Sequence, residues 1–306
     1  MADTALPEDS SPRRAAGLMA MFYRSEKMRG YSLLMPAFLL MAAGIMVPFV
    51  ILVVMSFWTQ TGFDMDTGFH LANYAKAAQQ PVYKALILRS MWISGFATVA
   101  TVLLCYPVAY YVAFGVTRQK MLWLILLTLP FWTSYLLRVF AWKTVLGYNG
   151  VINSVLMYLG LIDAPLEFLL YSQSAVVITL THAWAPFAIL PIYVSLEKID
   201  RSLLEAATDL GDGPWRRFLR ITLPLSMPGV IAATLLIFIP TVGDYITPAL
   251  LGGPDGVMIG NMIQMQFGRV NNWPMGAALA LVMMVCVAGA SVAILLLARL
   301  ARRVAT

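Results

Sequence analysis

Long apolar runs, each about as long as a bilayer is thick, alternate with short polar segments along this chain. They lie near residues 33–57, 86–114, 121–145, 174–196, 225–246 and 276–298. A helix needs about 20 apolar residues to cross the hydrocarbon core, where every backbone amide must be satisfied within the segment. The pattern therefore predicts an all-α membrane protein with six transmembrane helices over residues 33–298. Residues 151–162 (VINSVLMYLGLI) are apolar but too short to cross, and predict an interfacial or re-entrant helix. The first 32 residues are polar and carry Pro7, Pro12, Arg13 and Arg14, with no evident cleavable signal peptide. Within them, residues 17–29 (GLMAMFYRSEKMR) read either as a short interfacial helix or as a plain tail.

Charge gives these runs a direction. Arg13, Arg14, Arg24, Lys27 and Arg29 precede the first run, and Arg118 and Lys120 sit in the next turn on that side. Lys198, Arg201, Arg216, Arg217 and Arg220 follow, then Arg299, Arg302 and Arg303 in a short tail over 299–306. Fifteen of the 21 basic residues thus fall on one side, which the positive-inside rule assigns to the cytoplasm together with both termini. The loops 58–85, 147–173 and 247–275 face the other way and are rich in Trp, Tyr, Asn, Gly and Pro.

Composition agrees. The chain has 306 residues, of which 60% are hydrophobic and only 12% charged, too apolar for an ordinary soluble domain. Its net charge of +6 resides in tails and turns and forms no stripe, so membrane orientation accounts for it better than nucleic acid does. Cys105 and Cys286 both lie in apolar runs, which disfavours a disulfide. His70 and His182 stand on separate segments without metal-ligand spacing, so no metal site is expected, and no catalytic constellation is visible.

One cytoplasmic segment is neither apolar nor a plain loop. Just before EAATDLGDGPWRRFLRITLP (205–224), Asp200 can cap a helix from Arg201 to Leu210, and Gly211 can supply a left-handed turn at its end. Leu203, Ala206, Ala207 and Leu210 make a narrow apolar face, Ala206 and Ala207 are small enough for close approach, and Glu205 points elsewhere. Pro214 suits the first turn of a second helix, with Trp215, Phe218, Leu219 and Thr222 on one side and Arg216, Arg217 and Arg220 on the other. Leu223-Pro224 is expected to stop that helix and redirect the chain. On composition alone, this hairpin would pack against its own membrane domain.

Glu205, Ala206, Ala207, Gly211, Ile221, Leu223 and Pro224 stand at the spacing of the EAA motif, and the segment resembles the coupling hairpin of ATP-binding-cassette (ABC) importer permeases. The resemblance implies a type I importer permease fold in a bacterial inner membrane, with the hairpin seated in a groove of an ATPase. It also implies a sister permease, two ATPase subunits that hold the ATP and magnesium, and a periplasmic solute-binding protein. The chain itself carries no G-x-x-x-x-G-K-[ST], so no nucleotide cofactor is expected on it. PFWTSYLLRVFAWKTVLGYNGVIN (130–153), GDYITPALLGGPDGVMIGNMIQMQF (243–267) and NNWPMGAALA (271–280) extend the likeness to permeases of the spermidine/putrescine branch. Two positions depart from it: Asn272 and Ala249 are neutral where such permeases often carry acids. Polyamine leads, with a less charged amine or amino-acid-like solute as the alternative.

Candidate pathway residues follow from charge and aromaticity inside apolar runs. Asp244, with Tyr245, either lines the external half of the route or pairs internally with Arg138. Phe131, Trp132 and Tyr135 beside Pro130 either face a cation or form a hydrophobic gate, or else anchor and pack the helix. His182, Trp184 and Pro186 predict a kink in the fourth run, with His182 read as hydrogen-bonded core. Asp64 and Asp66 read as a solvated turn. An ion-gradient-driven transporter is the competing class, disfavoured by the scarcity of intramembrane titratable groups.

Overall fold

The computed structural model describes residues 26–62, 64–169 and 171–305. It divides into two units, residues 1–55 and residues 56–306. The described part of the first unit is helix α1 (Glu26–Ser56) as far as Met55, apolar around its circumference and carrying Pro36 and Pro48. It begins earlier than the apolar run suggested. The interfacial helix considered over 17–29 lies largely outside the described residues.

The second unit opens with a small departure from the all-α expectation. Strands β1 (Thr59–Thr61) and β2 (Asp64–Asp66) pair antiparallel, with Gln60 opposite Met65. Gly62, at φ +65°, supplies the left-handed turn between them. The backbone N–H of Gly68 and the ring of His70 bond Asp66 and hold its carboxyl below the usual carboxylate range. Helix α2 (Ala72–Gln79) follows, pinned by Asn73, whose amide donates to the Ser56 and Trp58 carbonyls.

Helix α3 (Pro81–Tyr110) starts on a proline, runs through Pro107 and ends in a π-helical turn, Tyr111–Gly115. Helix α4 (Lys120–Thr128) then leads into a 3₁₀ turn, Leu129–Trp132. Here the single helix expected over 121–145 is broken. Thr133 and Ser134 are extended, and the chain re-enters helix α5 (Tyr135–Leu146) and α6 (Val151–Tyr158) with the two halves bent by 86°. Pro130 has no N–H to continue the ladder, and its carbonyl accepts the Thr133 hydroxyl at 2.7 Å instead. Helices α7 (Gln173–Ala183) and α8 (Ala185–Glu197) meet at a 46° bend on Trp184, beside Pro186 where the kink was expected.

Helix α9 (Arg201–Asp209) and short α10 (Pro214–Arg217) form the hairpin. The expected stop at Leu223-Pro224 does not occur. A π-helical stretch, Phe218–Thr222, closes with the Leu223 N–H on the Phe218 carbonyl, and the chain passes directly into α11 (Leu223–Val242). Proline is tolerated in the first turn of a helix, and the wider π turn absorbs the ladder mismatch upstream. After the π-helical turn Pro248–Gly252 come α12 (Ile259–Gly268) and α13 (Trp273–Ala305), whose backbone stays helical into the expected C-terminal tail as far as Ala305.

Among the described residues, four helices are individually long and apolar enough to cross a membrane, and six if each bent pair is one span. Small residues bring α3, α8 and α11 together: Ala109, Ala113, Ala188 and Ala233 are buried with Ile192, Leu196 and Ile237. Lipid tails are as apolar as leucine, so close backbone packing holds such helices together better than bulk hydrophobicity does. The tightest approach is at Gly229 of α11, where a β-carbon would stand 2.3 Å from the Pro191 carbonyl of α8. Tyr106 and Ser226 share a hydrogen bond of 2.8 Å across the same core.

Candidate functional site

The hairpin is built from local signals that the structure reproduces. The Asp200 carboxylate accepts the Ser202 N–H at 3.0 Å and caps α9, and that backbone bond holds its carboxyl below the ordinary range. Gly211 sits at φ +86°, and the N–H groups of Leu210 and Asp212 turn back onto Ala206 and Ala207 carbonyls. Arg217 then donates to the Thr208 hydroxyl at 2.8 Å, and Arg220 pairs with Asp212 at 3.3 Å, so the two arms brace each other.

Its inner side is seated by aromatic rings. Phe218 meets Tyr106 and Tyr110 edge-on at 5.7 and 6.3 Å, and Thr222 is buried. Its outer side is uncovered among the described residues: Leu203 is 47% exposed, Leu210 87% and Trp215 69%. Ala206 is exposed while Ala207 is buried, so the expected apolar face is split, with one alanine for the fold and one for the surface. Glu205 borders a cavity of about 350 Å³ with Tyr110, Phe114, Arg201 and Arg217. The root of the hairpin carries a junction that sequence reading missed. Lys120 Nζ donates to both Glu197 oxygens at 2.9 Å and to the Ala113 carbonyl at 2.8 Å, joining the ends of α3, α4 and α8.

The second candidate site lies where α5, the α7–α8 bend and the end of α11 converge. A cavity of about 360 Å³ is walled there by Tyr135, Arg138, Trp184, Asp244 and Tyr245 among others. Asp244 does not sit inside the helix, where the sequence placed it; it follows Gly243, which caps the C-terminal end of α11 at Val242. Its Oδ1 accepts the Ile246 N–H at 2.9 Å and caps the turn into Pro248–Gly252. Its Oδ2 accepts the Tyr135 hydroxyl at 2.6 Å, and that hydroxyl also meets Thr247 Oγ1 at 2.6 Å. Thr247, fully buried, was not singled out from sequence, although an Asp two to three residues before a Thr-Pro pair is a recognisable capping pattern. The alternative of an Asp244–Arg138 pair is not realised: Arg138 donates to the Ala183 carbonyl at 3.0 Å.

Trp132 does not join this cavity. It is 83% exposed and lines a separate apolar groove with Met121, Pro186 and Phe187. His182 accepts the Trp142 indole N–H at 3.1 Å, so the expected hydrogen bond is made, but the residue is exposed and is not part of the core. Replacing Tyr135 with Phe removes a donor from a partly buried carboxylate. We expect that change to lower thermal stability by about 1–2 kcal/mol, measured as a shift in the detergent-solubilised melting curve.

The family model described as binding-protein-dependent transport system inner membrane component matches residues 15–306. The spermidine/putrescine transport system permease protein PotB of Haemophilus influenzae is 37% identical over 238 residues, 78% of this chain and 82% of that protein. PotB of Escherichia coli K12 is 40% identical over 210 residues, 69% of this chain and 76% of that one. A bacterial alginate ABC transporter, crystallised with an alginate-bound periplasmic protein, contains a chain that shares the fold. The TM-score is 0.72, with 94% of this chain and 98% of that one covered, at 18% identity. With a match over nearly its whole length, the chain belongs to the family of inner membrane components of binding-protein-dependent transport systems.

Proposed function

We propose that this chain is one permease subunit of an ATP-driven importer for polyamines, forming half of the translocation path. The observation that carries this reading is the braced hairpin with Ala206, Leu210 and Trp215 uncovered on its outer side. A chain that used the hairpin only for its own packing would bury those positions. Its partners are a sister permease, two ATPases that bind the ATP and magnesium, and a periplasmic solute-binding protein. Glu205, Ala206, Ala207, Gly211, Ile221, Leu223 and Pro224 form the ATPase-coupling element. Each bent helix pair is one crossing, which makes six spans over 33–298, and the distribution of Lys and Arg favours cytoplasmic tails at both ends. The identity to polyamine permeases supports spermidine or putrescine as solute. Family membership gives no support to the ion-gradient class.

Asp244, Tyr245 and Tyr135 line the solute route, with Trp132 on a neighbouring apolar wall. A carboxylate flanked by aromatic rings suits an ammonium group, since both the charge and the ring faces attract it. The Arg138 guanidinium on the same cavity favours a second reading, a less charged amine. Reconstitution with the sister permease, ATPase and binding protein tests both. Asp244→Asn should cut spermidine uptake at least tenfold with the assembly intact. Uptake at the wild-type rate removes Asp244 from the route, and preference for a singly charged amine over spermidine selects the second reading.

A further inference from the structure

The first turn of α5 holds two helix breaks at once. Tyr135 and Arg138, three residues apart, share a helix face and border the same cavity. Tyr135 grips Asp244, where the chain leaves α11. Arg138 Nη1 grips the Ala183 carbonyl at the α7–α8 bend, at 3.0 Å. That carbonyl is available for a local reason. In an unbroken helix it would accept the Phe187 N–H. Here the Phe187 N–H goes to the Trp184 carbonyl at 3.0 Å, and Pro186 donates nothing.

Arg138 is also held in an unusual way. A buried guanidinium ordinarily faces a carboxylate, because an unpaired charge in an apolar setting is costly. Arg138 is 9% exposed, has no ion pair among the described residues, and its Nε has no hydrogen-bond partner. It rests instead over the rings of Phe131 and Tyr135, at 5.3 and 5.6 Å. Phe131 continues the contact across the bend, meeting Phe187 edge-on at 4.9 Å. One carbonyl and two ring faces fix a charge less firmly than a bidentate carboxylate does. Such a grip orders the bend and can still be released.

We propose that Arg138 is a positioning residue of the transport cycle: gripping the α7–α8 bend from the turn that holds Asp244, it makes the two breaks around the cavity move together. The proposal rests on the reading of that cavity as part of the solute route. Without the grip, the angle of the bend is set by its prolines alone, and closure driven from the cytoplasmic side reaches the Asp244 break incompletely. ATP hydrolysis then continues while solute transfer falls.

The test uses the complete importer in proteoliposomes, with Arg138→Met and Arg138→Lys, and reads spermidine moved per ATP hydrolysed. A second readout is the distance distribution between spin labels at the exposed positions Ser174 and Val194, on either side of the bend. Arg138→Met should assemble, lower the transport-to-hydrolysis ratio at least tenfold and broaden the distances. Arg138→Lys, which keeps a charged donor, should retain more than half the ratio and a narrow distribution. An unchanged ratio and distance distribution in Arg138→Met overturn the proposal. If Arg138→Met does not assemble, the lysine variant decides: wild-type distances with transport lost overturn it, and wild-type distances with the ratio retained support it. Wild-type importer that hydrolyses ATP but moves no spermidine overturns the solute assignment instead, and the spin-label arm then decides the role of Arg138.

Discussion

Ala206→Trp should cut ATP-driven uptake more than tenfold while leaving the permease folded and inserted. Ala206 is exposed on α9 among the described residues, so a larger side chain there has solvent-facing room in the permease itself. Against a partner seated on that helix, an indole in place of a methyl group forces the surfaces apart. Interface contacts fall off within an ångström or so of separation, and a clash at the centre of a seat removes most of the affinity. The expected loss in uptake is greater than tenfold, about 1.4 kcal/mol or more of lost association or coupling. Co-purification of the ATPase and uptake into vesicles measure it, with membrane abundance of the permease as control. The adjacent change separates docking from folding. Ala207 is 5% exposed, so Ala207→Trp should lower permease abundance and melting temperature first. Wild-type uptake and ATPase recovery with Ala206→Trp would refute the coupling role of the hairpin.

Gly229→Leu should have the largest effect on stability. The β-carbon it introduces would lie 2.3 Å from the Pro191 carbonyl and 2.5 Å from Ser195 Oγ. A side-chain tip can rotate away, but a helix carbonyl cannot. The α8–α11 contact must therefore open along a core where Ala188, Ile192, Ala233 and Ile237 are buried together. Overpacking alone costs about 1–3 kcal/mol, and lost backbone proximity adds to it where small residues hold membrane helices together. The readout is the folded fraction after detergent extraction, with Gly243→Ala as control, since the nearest atom to a β-carbon there is at 3.8 Å. Equal yields for the two variants would mean that the helices tolerate separation at Gly229.

Much of the hairpin was legible because its determinants act over a few residues. An aspartate before the first turn, a glycine at positive φ and a proline at the second helix start each do their work locally, and all appear where expected. The split between Ala206 and Ala207 was not legible. A helical wheel places both on one face, and only the packing of α9 against its neighbours separates them. The same holds for Leu223-Pro224: proline predicts a stop, yet the preceding π turn lets one helix run on to Val242.

The cavity shows the limit more sharply. Charge in apolar surroundings picked out Asp244 and Arg138, and aromaticity beside Pro130 picked out Tyr135. Their partnerships involve positions 109 residues apart for Tyr135 and Asp244, and 45 apart for Arg138 and Ala183. The order of the chain, taken alone, determined which segments are apolar, which ends carry positive charge and how the hairpin is capped, since transfer energy, charge and capping act residue by residue. The angles of the broken helices, the uncovered hairpin face and the grip of α5 on two breaks were decided by tertiary packing. There the geometry of side chains meeting across distant helices selects one partner among several of similar chemistry.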